Sequence, residues 1–164
     1  MPMKLSTTIG KIQKIPNTKN IEIMHEFLDY MRKNDSSEHH QNNNLKVAIA
    51  FANFLGKYIS FDEIQKKEQV LAFLETKIKT SEEDPDKRWI TTWNNYLNRI
   101  KLFYRWLYNN SHDIELENWQ TPEFVKIKTK KSKRISPYLE TEIWDKDELL
   151  FIIKFEWIFC EERK

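Results

Sequence analysis

Lys87, Arg88, Thr91, Thr92, Asn95 and Arg99 fall in the first turns of one stretch, Lys87 to Tyr108. Ammonium, guanidinium, hydroxyl and amide groups are the donors that engage phosphate oxygens and base edges. A second set, His39, His40, Asn42, Asn43 and Lys46, lies in and just after the polar stretch Glu38-His39-His40-Gln41-Asn42-Asn43-Asn44. A third is Lys126, Lys128, Lys130, Lys131, Lys133 and Arg134, and residues 124–139 hold six Lys or Arg and no acid. The chemistry these sets offer is grip on a polyanion. Each duplex phosphate neutralised adds about 0.9 to the log–log salt slope, so a few such contacts make binding steeply salt-dependent. Each set also has a plainer reading: a solvated helix face, a polar surface, a soluble linker. Taken alone, the stretch 87–108 favours that plainer reading. The three together, each beside a core element, favour a DNA-facing surface.

Catalytic constellations are not legible. His25, His39, His40 and His112 lack metal-ligand spacing with carboxylates. His39 and His40 are adjacent, so on a helix they diverge by about 100°. Two isolated glycines, Gly10 and Gly56, build no phosphate loop, and no nucleophile elbow is present. Asp145 and Asp147 suit a helix start. No metal and no cofactor are expected. Cys160 is the single cysteine, which excludes an internal disulfide and a cysteine zinc site.

The elements that must position these groups follow from spacing. Trp89, Trp93, Tyr96, Leu97, Ile100, Phe103, Tyr104 and Leu107 recur at steps of three and four. That places them on one face of a helix predicted from about Asp86 to Asn109. A first helix is predicted from Asn20, as cap, to about Lys33, with Ile21, Met24, Phe27, Leu28 and Met31 on one face. A second runs from about Glu38 to Leu55, with Gly56 placed to end it. Ser60 and Glu63 have the form of a capping box ahead of a third helix, roughly Lys66 to Lys79, with Val70, Phe73, Leu74 and Ile78 inward. Residues 1–19 show no clear period and are expected to be an arm. The expected organisation is an arm (1–19), a helical DNA-binding domain (20–118), a basic interdomain linker (119–142) and the start of a truncated further domain (143–164), whose helix begins at Asp145.

Hydrophobic residues make up 40% of the 164, enough for a packed core, and the scarcity of glycine favours an all-α fold. Net charge is only +2, so local polarisation says more than the sum. No apolar run is long enough for a membrane span, and the first residues lack a secretory signal, so the cytoplasm is the expected compartment.

The order of these elements resembles the N-terminal core-binding domain of the tyrosine recombinases, or phage integrases. The motifs that carry the likeness are Ile23-Met24-His25-Glu26-Phe27-Leu28-Asp29-Tyr30-Met31, Ala48-Ile49-Ala50-Phe51-Ala52-Asn53-Phe54-Leu55, and Ile64 with Val70, Phe73 and Leu74. Tyr96-Leu97-Asn98-Arg99-Ile100-Lys101-Leu102-Phe103-Tyr104-Arg105-Trp106-Leu107 follows, then a lysine-rich linker and Trp144-Asp145-Lys146-Asp147-Glu148-Leu149-Leu150. The second helix departs from the family, opening Ser37-Glu38-His39-His40-Gln41-Asn42 where the family has Ser or Thr, then Thr and a Tyr.

The resemblance implies a SAM-like four-helix bundle followed by a basic linker and one further helix. It implies double-stranded DNA as partner, with the second and fourth helices at the major groove and the linker crossing the backbone. It further implies a catalytic domain that closes the clamp, a homo-tetramer on paired sites, and a place at the nucleoid. The family cleaves and rejoins strands through a tyrosine nucleophile, with no metal or high-energy cofactor. None of its catalytic residues can be placed here, since His112 is followed by Asp113, Ile114 and Glu115 rather than by a His-x-x-Arg pattern. This segment is expected to bind DNA without cutting it. Two other classes stay open: a helical protein-interaction module anchored by aromatics such as Trp106 and Trp119, and a single-strand or RNA binder. The second is disfavoured because most rings share the apolar stripe.

Overall fold

Local capping and apolar spacing set the helix bounds. The computed structural model describes residues 4–112 and 116–131. All of them fall within one compact unit, residues 1–132. Lys133, Arg134, Cys160 and the helix expected from Asp145 lie outside the described residues.

The described residues are all-helical, with five α-helices and no strand: α1 (Leu5–Ile12), α2 (Thr18–Lys33), α3 (Glu38–Leu55), α4 (Lys67–Glu75) and α5 (Trp89–Ser111). Helix α1 lies in the segment expected to be an arm. Leu5, Thr8, Ile9 and Ile12 carry helical spacing, but Thr8 sits in the stripe and hides it. Thr8 is buried because its hydroxyl donates to Asn42 Oδ1 of α3 (2.6 Å).

Helix α2 begins before the expected cap. Asn17 Oδ1 accepts from Asn20 N (3.2 Å) and so caps the helix. Asn20 itself is fully buried; its amide donates to Ile59 O (3.1 Å) and accepts from Phe61 N (2.8 Å). Helix α3 has the expected bounds. Ser37 Oγ accepts from His40 N, and Gly56 ends the helix at φ 74°, ψ −153°, a conformation close to glycine's own.

Ser60 and Glu63 do form reciprocal contacts, with Ser60 N donating to Glu63 Oε2 (2.6 Å), but they close a 3-10 turn, Phe61–Glu63. Helix α4 is capped separately by Gln69, whose Oε1 accepts from Lys66 N (3.0 Å). It ends at Glu75, where Thr76 donates its hydroxyl to Phe73 O (2.7 Å). Ile78 is therefore beyond the helix and 43% exposed, not inward.

The core is aromatic. Phe27 of α2 meets Phe103 edge-on (5.1 Å) and Trp106 (5.0 Å) of α5, while Phe51 of α3 meets Phe73 of α4 (4.9 Å). Such pairs contribute about 0.5–1.5 kcal/mol each beyond area burial. The Tyr104 hydroxyl donates to Phe61 O (3.2 Å), and burial pushes its phenol well above the usual range.

Candidate nucleic-acid interface

The amide-rich turns of α3 divide between inside and outside. Gln41 and Asn44 are buried. Gln41 Nε2 donates to Ser36 O (2.7 Å), and Asn44 Nδ2 donates to His40 O (2.9 Å). Asn42 is turned toward α1 by its bond to Thr8. His39 and His40 remain exposed, and Asn43 and Lys46 are half-buried. Asn43 Nδ2 lies 2.8 Å from His39 Nε2, one turn apart on the same face.

Arg99 joins this edge to α5. Its Nη1 donates to Asn44 Oδ1 (3.2 Å), so the polar start of α3 and the N-terminal half of α5 are neighbours. Thr91, Thr92 and Asn95 are exposed along that half.

The tip of α5 differs from the sequence expectation. The helix starts at Trp89, because Asp84 Oδ2 accepts from Trp89 N (2.7 Å). Lys87 stands outside the helix at φ 53°, and Arg88 pairs with Asp86 (2.9 Å). A carboxylate thus already meets the positive end of the helix dipole. The acidic loop supplies it, and a phosphate at the extreme tip would meet like charge. Donors along the side of α5 carry no such obstacle.

Residues 119–131, expected within the linker, lie along α5 as a strap. Trp119 rests near the Tyr30 ring (5.4 Å). Asn109 Nδ2 donates to Gln120 O (2.8 Å) and its Oδ1 accepts from Gln120 N (2.9 Å). Phe124 meets Tyr104 edge-on, and Lys101 Nζ donates to Ile127 O (2.8 Å). Val125 and Ile127 are buried. Asn94 then pairs with both backbone groups of Lys130 (2.8 and 2.9 Å). Successive strap residues meet successively earlier residues of α5, so the strap runs antiparallel to it, over roughly 22 Å of helix. Val125, the last residue of a 3-10 turn (Glu123–Val125), and Ile127 face the core, while Lys126 and Lys128 face solvent.

The strap's lysines are not equivalent. Lys126 pairs with Glu123. Lys130 places its ammonium over Trp93 and Trp89, 5.1 and 5.5 Å from the ring centres. Lys128 and Lys131 are exposed. Asn94, Asn109 and Lys101, which seat the strap, have no local sequence signal, because their partners lie 36, 11 and 26 residues away.

A cavity of about 460 Å3 opens elsewhere, lined by Phe61, Tyr104, Tyr108, His112, Pro122 and Phe124 among others. The acids on its wall are already engaged, Asp62 by Lys19 and Ser60, Glu123 by Lys126. Among the described residues no group of three or more His, Cys, Asp or Glu is placed to hold a metal ion. None of their helices is long and apolar enough to cross a membrane. Compared with known proteins, the chain matches no family model, no curated protein and no solved structure.

Proposed function

We infer that this chain is a DNA-binding module of the tyrosine recombinase type, a SAM-like core-binding bundle with one extra N-terminal helix, gripping duplex DNA. The observation that carries this reading is convergence. The Arg99–Asn44 bond joins the polar start of α3 to α5, and the Asn94–Lys130 pair returns the basic strap to the same half of α5. Three segments far apart in sequence thereby present His39, His40, Asn43, Thr91, Thr92, Asn95, Arg99 and Lys131 from one region. Hydroxyl, amide and cationic donors of this mix suit phosphates and base edges. In this reading strand cleavage and rejoining belong to a catalytic domain that closes the clamp, and tetramers form on paired sites at the nucleoid.

The protein-interaction alternative loses the two anchors named for it, although Phe54, Tyr58 and Tyr108 stay exposed. Trp106 is 2% exposed, and Trp119 is half-buried against Tyr30.

Titration of labelled duplex DNA, single-stranded DNA and RNA at two salt concentrations tests the reading. Duplex binding is expected to be weak and to fall steeply with salt, by about 0.9 log units per log unit for each phosphate engaged. A preference for single strands, or affinity insensitive to salt, counts against it.

A further inference from the structure

The strap's last turns raise a question that hydrophobic burial does not answer. Val125 and Ile127 dock its middle, but Lys128-Thr129-Lys130-Lys131 contains no apolar residue to hold its end. Lys128 and Thr129 are exposed. Yet Lys130 is fixed twice over. Asn94 Nδ2 donates to Lys130 O (2.8 Å) and Asn94 Oδ1 accepts from Lys130 N (2.9 Å). A side chain that meets both backbone groups of one residue fixes its position and orientation together, much as a hydrogen-bonded pair does between antiparallel strands. Independently, the Lys130 ammonium sits within cation–π range of Trp89 and Trp93. Trp93 is a core residue, so this seat cannot shift without repacking. A lysine whose charge faces two rings is committed to holding the chain. The next residue, Lys131, is exposed.

We propose that Asn94 is a positioning residue: with the Trp89–Trp93 seat it clamps Lys130 and so holds Lys131 beside the DNA-facing half of α5. The proposal rests on the DNA-binding reading given above. In it Asn94 contacts no phosphate and acts through the strap. Lys130, despite its charge, is an anchor, and Lys131 is the cation presented.

The test uses the full chain, amide hydrogen exchange and duplex titration at two salt concentrations. Asn94→Ala should speed exchange at the Lys130 amide by about tenfold or more, while α3 and α5 amides stay as slow as before. Duplex affinity should fall by about as much as in Lys131→Gln, and the double variant should lose no more than the worse single one. A merely structural asparagine would not produce that non-additivity. Lys130→Gln, which leaves the α5 sequence intact, should likewise speed exchange at position 130. Unchanged exchange there, faster exchange throughout α5, or additive losses in the double variant would overturn the proposal. A wild-type chain that binds no duplex overturns the functional reading beneath it. Exchange in the variants then decides separately whether the clamp exists.

Discussion

Asn20 and Asn94 make the same kind of clamp at different depths. Asn20 is fully enclosed and ties the 59–61 segment to α2 through Ile59 O and Phe61 N. Asn94 is half-buried and ties Lys130 to α5. The chemistry is alike, two bonds between one amide and a passing backbone. The surroundings differ. At Asn20 the bond from Phe61 N is buried, so no water can replace that partner and the clamp works for stability. Around Asn94 water can replace it, so what is lost is the position of the strap. A polar side chain in a helix can therefore serve the fold or the surface according to its depth alone.

The largest expected effect tests that contrast directly. Asn20→Ala should destabilise the fold by about 2–3 kcal/mol, because it strands the buried Phe61 N–H away from water and leaves a cavity in place of a fully enclosed side chain. Asn94→Ala should cost under about 1 kcal/mol, since solvent can satisfy the freed groups. Chemical denaturation monitored by tryptophan fluorescence reads both. Equal losses would erase the distinction between the clamps.

A smaller effect is expected at the tip of α5. Asp84→Asn keeps an oxygen for Trp89 N, and Asn caps about as well as Asp, so stability should change by no more than about 0.5 kcal/mol. Removing the carboxylate should raise duplex affinity severalfold, with the gain fading at high salt. Unchanged or weaker binding would mean that DNA does not approach this end.

The smallest is a pH effect in the segment that Asn20 holds. Burial tends to raise the Asp62 pKa, but hydrogen bonds from Lys19 and Ser60 outweigh it, and the net shift is downward from 3.8. A carboxylate lowered in the folded state adds stability above its unfolded value and loses it as pH falls through the folded one. Asp62→Asn should therefore be slightly less stable than wild type at neutral pH, and the gap should narrow below about pH 4. The pair with Lys19 is well exposed, which keeps the effect small. Denaturation at the two pH values checks it, and a gap that widens in acid would refute the assignment. Duplex affinity at neutral pH should not respond.

Much of the scaffold was legible because helical signals are short in range. Ser37 and Gly56 bound α3 as their types predict, and the stripe from Trp93 to Leu107 is buried except at Tyr96, which is half-buried. Helix α1 was hidden because Thr8, polar by type, fills a core position by bonding Asn42. Asn20 stands where a cap is plausible, and only the distant 59–61 segment gives it other work.

The candidate site was legible in type but not in use. The sequence alone determined that the described chain is helical, which residues form the core face of α5, and that cationic and amide groups gather in three segments. It could not tell a presented lysine from an anchoring one. Lys130 and Lys131 are neighbours of one type, and Trp89, Trp93 and Asn94 tell them apart from 36 to 41 residues away. Likewise Asp84, which closes the tip of α5, and Asn44, which holds Arg99, owe their roles to where the chain folds back. Periodicity reports which face a residue occupies. Only the tertiary structure decides which group across the fold takes up its charge or hydrogen bond, because those partners are set by packing rather than by sequence spacing.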